Sequence, residues 1–167
     1  MLRHILKCTE KEAHRQLKSD EWKTSVYEIE AFIGLCYIRG ACGAAKLELD
    51  SLLSKKWGIA TMPRDRFREI MRFLRFDDKS TRSERLRDDK FAIISWLFSR
   101  FIENSQLAHY PGVNVTVDEQ LMPSKCRCPF TQYMSNKPDK FEIKFWLLCD
   151  TDTKYVQNAI PYLGKDN

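Results

Sequence analysis

Asp118 is the residue best placed to do chemistry. It closes a run in which Val113, Val115 and Val117 alternate with Asn114 and Thr116, the pattern of a short β-strand that ends on a carboxylate. Carboxylates are what a hard cation such as magnesium takes as ligands, usually together with open positions for substrate oxygens. Candidate companions are Glu119, Asp139, Glu142, Asp150 and Asp152. If the next strand ends at Asp150 and runs antiparallel to the first, nine residues at ~3.3 Å each separate Asp118 from Asp150 by on the order of 30 Å. The ions of a two-metal site stand only about 3.5–4 Å apart, so this excludes Asp150 and Asp152 as partners. Glu119, Asp139 and Glu142 read as structural or solvated groups.

A second constellation is basic. At ~100° per residue, Arg64, Arg68, Arg72 and Arg75 fall within an arc of about 80° on one helix. Such a row can clamp phosphates, or it can be a solvated face that Asp65 and Glu69 partly neutralise. Lys125, Arg127, Lys137 and Lys140 alternate with Phe130 and Tyr133 in a stretch rich in Pro, Ser and Asn. That stretch suits phosphate contacts beside Asp118, or a surface loop pinned by its own aromatics. Cys126-Arg127-Cys128 has no second cysteine pair and no nearby histidine, so no zinc site is expected. Six scattered cysteines, three of them inside apolar runs, read as reduced thiols.

The elements that must position these groups follow from periodicity. Residues 1–24 are polar and weakly periodic, and are expected to be a poorly structured or weakly helical lead-in. Val26, Ile29, Ile33, Cys36 and Tyr37 predict a helix from Val26 to Arg39, stopped at Gly40. Leu49, Leu52, Leu53 and Trp57 predict a shorter helix over Lys46–Trp57 that packs on the first as a hairpin. Pro63 suits the first turn of a helix running to about Phe76, with Phe67, Ile70, Met71 and Leu74 as its core stripe. Residues 77–89 read as an exposed charged loop. A long helix is expected from Lys90 to about Ser105, capped by Asp88 or Asp89, with Phe91, Ile94, Leu97, Phe98, Phe101 and Ile102 buried. After Gly112 the period falls to two. Strands are expected at Val113–Asp118, at Phe141–Cys149 and at Tyr155–Leu163, the last two forming a hairpin with Pro161 at an edge.

The chain has 167 residues, 43% of them hydrophobic and 31% charged, which fits a globular protein with a real core and excludes fibrous or wholly disordered classes. Its longest apolar stretches fall far short of the ~20 residues of a membrane span, and the charged start does not make a signal-peptide core, so no membrane partner is expected. The net charge of +5 has one source. Residues 55–90 carry twelve Lys/Arg against seven Asp/Glu, whereas the segments on either side are balanced at eight of each. A local basic excess is the footprint of a polyanion partner.

From Thr116 to Asp166 the sequence TVDEQLMPSKCRCPFTQYMSNKPDKFEIKFWLLCDTDTKYVQNAIPYLGKD closely resembles the opening of the catalytic domain of piggyBac-type DDE transposases. Upstream, EIEAFIGLCYIRG (28–40), RDRFREIMRFLRFDD (64–78) and RLRDDKFA look like the family's dimerisation and DNA-binding region. The resemblance implies an α+β protein: an all-helical region over 25–110, then, over 111–167, the first three strands of an incomplete RNase H-like α/β domain. It implies a cut-and-paste DNA transposase ancestry, a nuclear location, DNA (transposon ends) as partner and Mg2+ as cofactor, with no membrane. Asp118, within TVDEQ, matches the first of three family acids that hold two metal ions; the second and third have no counterpart in this sequence, nor has the family's cysteine-rich zinc module. The chain is thus expected to be a truncated relative, inactive by itself. It would act as a DNA-binding module using Arg64, Arg68, Arg72, Arg75, Lys125, Arg127, Lys137 and Lys140. Alternatively it would be an interaction remnant, a homodimer or a heterodimer with full-length transposase.

Overall fold

A computed structural model describes residues 1–41, 61–126, 128–136 and 139–164. The expected helix at Lys46–Trp57 and its hairpin therefore lie outside the described residues. The chain divides into two compact units, 1–82 and 83–167.

The first unit is built from helices. Contrary to the ragged lead-in expected from its polarity, the chain starts with a sixteen-residue helix, α1 (Leu2–Leu17). Its buried residues, Ile5, Cys8, Thr9, Glu12 and Ala13, recur at helical spacing, but two of the five are polar. Lys18 ends it in the left-handed region at φ 54°. Next, α2 (Val26–Ala41) opens with a reciprocal capping box: Ser25 Oγ accepts the Glu28 N–H, and Glu28 Oε2 accepts the Ser25 N–H, both at 3.2 Å. It buries Ile29, Phe32 and Leu35. Pro63 precedes α3 (Arg64–Phe73), which is shorter than expected. Its buried stripe is Phe67, Ile70 and Phe73, while Met71, expected in the core, is 44% exposed. Phe67 stacks on Phe32 at 4.6 Å and Phe73 meets Trp22 edge-on at 5.2 Å.

The segment expected to be an exposed loop holds a short helix, α4 (Arg82–Asp88), and the buried Asp77, which takes both Arg82 Nε (3.0 Å) and Nη2 (2.6 Å). Paired in this way, Asp77 can be buried without leaving a bare charge.

The second unit is a helix on a sheet. Its long helix, α5 (Ser95–Ala108), starts five residues later than the sequence suggests. Asp89 Oδ1 accepts the Phe91 N–H at 2.7 Å, which folds residues 90–94 into turns ahead of the helix. The strands are β1 (Val115–Pro123), β2 (Gln132–Tyr133), β3 (Phe141–Asp150) and β4 (Val156–Pro161). All pairings are antiparallel, with β3 central: β1 runs along one side, and β2 and β4 share the other. The β3–β4 hairpin and the edge position of Pro161 match expectation. Phe91, Phe130 and Ile143 form the core, joined by Ile94, Phe98, Cys128, Phe145 and Leu163. Phe98 of α5 stacks on Phe145 at 5.8 Å, so the helix lies on the sheet face that carries the odd-numbered residues of β3. Fold class is thus α+β, a helical bundle followed by antiparallel strands at the opening of an RNase H-like domain.

Candidate functional site

Asp118 lies on β1, but not at its end. The strand continues for five residues beyond it, to Pro123, and the ladder pairs Asp118 with Leu147. The reason is that β1 is an edge strand whose residues are almost all exposed, so the polar run Asp118-Glu119-Gln120 costs little within it. Asp118 is exposed, and its Oδ1 accepts the Glu119 N–H at 2.7 Å.

The register also replaces the distance argument used to exclude Asp150. Asp150 pairs with Val115, three positions from Asp118, so the separation along the strands is about 10 Å and not 30 Å. Asp150 is excluded for two other reasons. Three positions is an odd offset, which puts the two side chains on opposite faces of the sheet. And the Asp150 carboxylate, buried, is already consumed: it accepts N–H bonds from Gly112 (2.8 Å), Asp152 (2.8 Å) and Thr153 (3.0 Å), and His109 Nε2 stands at 3.3 Å. These backbone amides, that of Gly112 foremost, hold its carboxyl well below the usual carboxylate range. It ties the end of α5 to the β3–β4 turn, helped by a Gln157 Nε2 bond to the His109 carbonyl at 2.5 Å.

Three further acids have settings of their own. Glu119, next to Asp118, faces the other way and pairs with Lys144, whose ammonium sits over Trp146 (4.6 Å) and Tyr162 (5.3 Å). Glu142 is buried, with Oε2 lacking a hydrogen-bond partner among the described residues. Asp139 lines a shallow cavity of about 200 Å³ with Lys125, Lys140 and Phe141. Among the described residues no three His, Cys, Asp or Glu side chains gather where they could hold a metal ion. Magnesium demands a near-octahedral set of oxygens, and Asp118 brings one carboxylate, so the described residues do not by themselves fit a two-metal centre.

The basic constellation splits. Arg64, Arg68 and Arg72 are exposed along one side of α3. Arg75 is not part of that face, because α3 ends at Phe73 and the chain turns inward. Its guanidinium donates to Glu12 Oε1 (2.9 Å) and to the Leu74 carbonyl (2.6 Å), and its N–H to Thr9 Oγ1 (3.2 Å). Lys125 and Lys140 are exposed and share the small cavity; Arg127 and Lys137 lie outside the described residues.

Two anchors gave no signal in the sequence. Glu12, with 2% of its side chain exposed, accepts from Arg15 Nε and Nη2 (2.8 and 2.9 Å), Gln16 (2.8 Å) and Arg75 (2.9 Å), and the Arg15 bonds foremost hold its carboxyl well below the usual range. Arg66 clamps both oxygens of Glu28 (2.7 and 3.0 Å) and reaches Glu69 (3.1 Å), with its guanidinium over the Trp22 ring at 4.7 Å. Local pairs such as Glu12–Arg15 and Arg66–Glu69 look like ordinary surface contacts, and nothing local marks the remote partners, Arg75 for Glu12 and Glu28 for Arg66, that draw the two residues inward.

The family described as Transposase IS4 matches residues 1–167. A solved piggyBac transposase, in a synaptic complex with hairpin DNA, superposes with a TM-score of 0.87 at 34% sequence identity, covering 98% of this chain. This chain spans 36% of that one. With fold, identity and the TVDEQ strand in agreement, the chain belongs to the piggyBac-type DDE transposase family.

Proposed function

We propose that this chain is a DNA-binding transposase module that grips the phosphate backbone through the exposed face of α3. The observation that carries this reading is the sorting of the α3 arginines. Arg66 is turned inward against carboxylates, and so is Arg75 just beyond the helix, while Arg64, Arg68 and Arg72 lie on one exposed side, with Arg64 Nε 3.5 Å from the adjacent Asp65 carboxylate. The local excess of twelve basic over seven acidic residues in 55–90 supports it, as does kinship to a transposase solved with hairpin DNA. Lys125 and Lys140, beyond the C-terminal end of β1, add a second set of phosphate contacts. Asp118, exposed on its strand face, corresponds to the first family acid by the TVDEQ match, and the described residues gather no further acids with it for a metal centre. The setting for such a protein is the nucleus.

The test is the salt dependence of duplex DNA binding. Replacing Arg68 and Arg72 together with alanine should weaken binding and flatten the slope of log K against log salt by about 1.8, close to 0.9 for each phosphate that is no longer neutralised. An unchanged slope rejects the face.

A further inference from the structure

Among the described residues the sheet has an open edge on each side, and the two are built differently. One is β4. Tyr162 donates its N–H to the Lys144 carbonyl at 2.9 Å, and in an antiparallel ladder only alternate residues face the neighbouring strand. Ile160 and Asn158 therefore turn their backbone groups to β3, while Ala159 and Pro161 turn theirs outward. Neither outward residue offers a donor: Pro161 has no N–H, and the N–H of Ala159 is taken by Asn158 Oδ1 at 2.8 Å. The register then skips Gln157 between the pairs Leu148–Asn158 and Cys149–Val156, a bulge that interrupts the edge toward its other end. Beside this edge runs a groove of about 470 Å³ between α5 and β4, with Phe98, Ile102, Ile160 and Leu163 among its apolar walls. A strand edge beside an apolar groove is the geometry that captures an extended chain, and here its donors have been withdrawn.

The other edge, β1, is closed only in part. The Ser124 N–H bonds the Phe141 carbonyl (3.0 Å) and the Thr151 N–H bonds the Asn114 carbonyl (3.1 Å), which fixes the parity and turns Val115, Val117, Glu119, Leu121 and Pro123 outward. Asp118 Oδ1 takes the Glu119 N–H, and Pro123 has none. Among the described residues nothing takes the N–H groups of Val115, Val117 and Leu121, since β1 pairs only with β3.

We propose that Asn158 and Pro161 are edge guards that leave this sheet one pairable edge and so keep copies of the chain from polymerising edge to edge. A chain with two receptive edges is a head-to-tail unit: β4 of one copy can pair with β1 of the next, and the contact repeats without closing. With no donor on β4 between Asn158 and Tyr162, that growth has no second end to use. The Asn158 bond does this without adding charge, which suits a strand whose neighbouring groove is apolar. The inference stands on the sheet edge and is independent of DNA binding, so the two can fail separately.

Sedimentation velocity and thioflavin T fluorescence of the full chain without DNA test it, with circular dichroism to show that each variant is folded. Asn158→Leu removes the acceptor at similar side-chain size, and Pro161→Val restores a donor on a residue that favours strands. The double variant should convert to assemblies of no limiting size about tenfold faster than wild type, or more. Pro161→Val alone should lie between the two, and it carries the test by itself if the double variant does not fold. Adding Val117→Pro removes an outward donor of β1 without costing a ladder bond, and should bring assembly back to within about threefold of the wild-type rate. A folded variant with restored donors that assembles no faster than wild type, or assembly that Val117→Pro leaves undiminished, would each overturn the proposal.

Discussion

The helical unit and the sheet unit solve the burial problem differently. In the first, aromatic rings from α2, α3 and the α1–α2 connection pack in pairs, and buried charges near the core, Glu12 and Asp77, are closed on arginines. In the second, the described core is confined to one face of the sheet, and β1 is exposed along nearly its whole length, held mainly by its ladder to β3. Asp118, the carboxylate with a candidate chemical role, stands on this lightly packed strand, whereas the most heavily engaged carboxylates, Glu12 and Asp150, are structural. A group that must accept a metal or substrate cannot also be saturated with hydrogen bonds, so packing and chemistry fall to different carboxylates.

The sharpest way to break this contrast is through Phe67. It is 2% exposed and stacked on Phe32, and Phe67→Ala should destabilise the helical unit by about 3–5 kcal/mol through reduced burial and the cavity left behind. Hydrogen exchange read peptide by peptide should show α1, α2 and α3 losing protection while β3 keeps it. Equal loss in both units would mean that they unfold as one, and the division drawn at residue 82 would have no energetic meaning.

Glu12→Gln should come next, at about 3 kcal/mol near neutral pH, because it leaves Arg15 and Arg75 around a buried neutral amide. The pH dependence gives the sign. The Glu12 carboxyl is held below its ordinary value, so the native state binds fewer protons than the unfolded chain through the acid range. Its contribution is complete above the unfolded carboxylate range near 4.3 and is lost as the pH falls below it. The difference between wild type and variant should therefore be full above about pH 5 and narrow progressively as the pH falls below about 4. A difference that stayed constant across that range would mean that the misfit of the amide among the donors around it, and not the loss of the carboxylate's charge, carries the effect.

Much of this arrangement can be read from the chain alone. Helix α2 announces itself by apolar spacing and the Gly40 stop, and the β3–β4 hairpin by alternation around a polar turn. Helix α1 hides because Thr9 and Glu12 occupy two places in its buried stripe, and the burial of Glu12 is compensated by Arg15 on the same helix together with Arg75, 63 residues away, which nothing local announces. The same remoteness misplaces Arg75. Helical arithmetic carries it onto the α3 face, but the helix stops at Phe73 and the guanidinium is drawn to Glu12. At the site, TVDEQ singles out Asp118 as a candidate, while its place in mid-strand is not legible. Exposed on both faces, β1 has no need of alternation past Val117, so the sequence pattern ends before the ladder does.

The smallest predicted effect bears most directly on β1. Val117 is 64% exposed and pairs with Leu148 on the sheet face opposite α5. Val117→Thr keeps a β-branched side chain, and therefore strand preference, while exchanging one methyl for a hydroxyl. On a strand that faces water the change should shift stability by no more than about 0.5 kcal/mol, as for surface substitutions generally. In chemical denaturation it should be hard to tell from wild type. A loss above about 1 kcal/mol would show that Val117 is desolvated in solution, because a hydroxyl carries that cost only where water has been removed. The second unit would then be packed on both sheet faces, and its contrast with the helical unit would collapse into a difference of secondary structure alone.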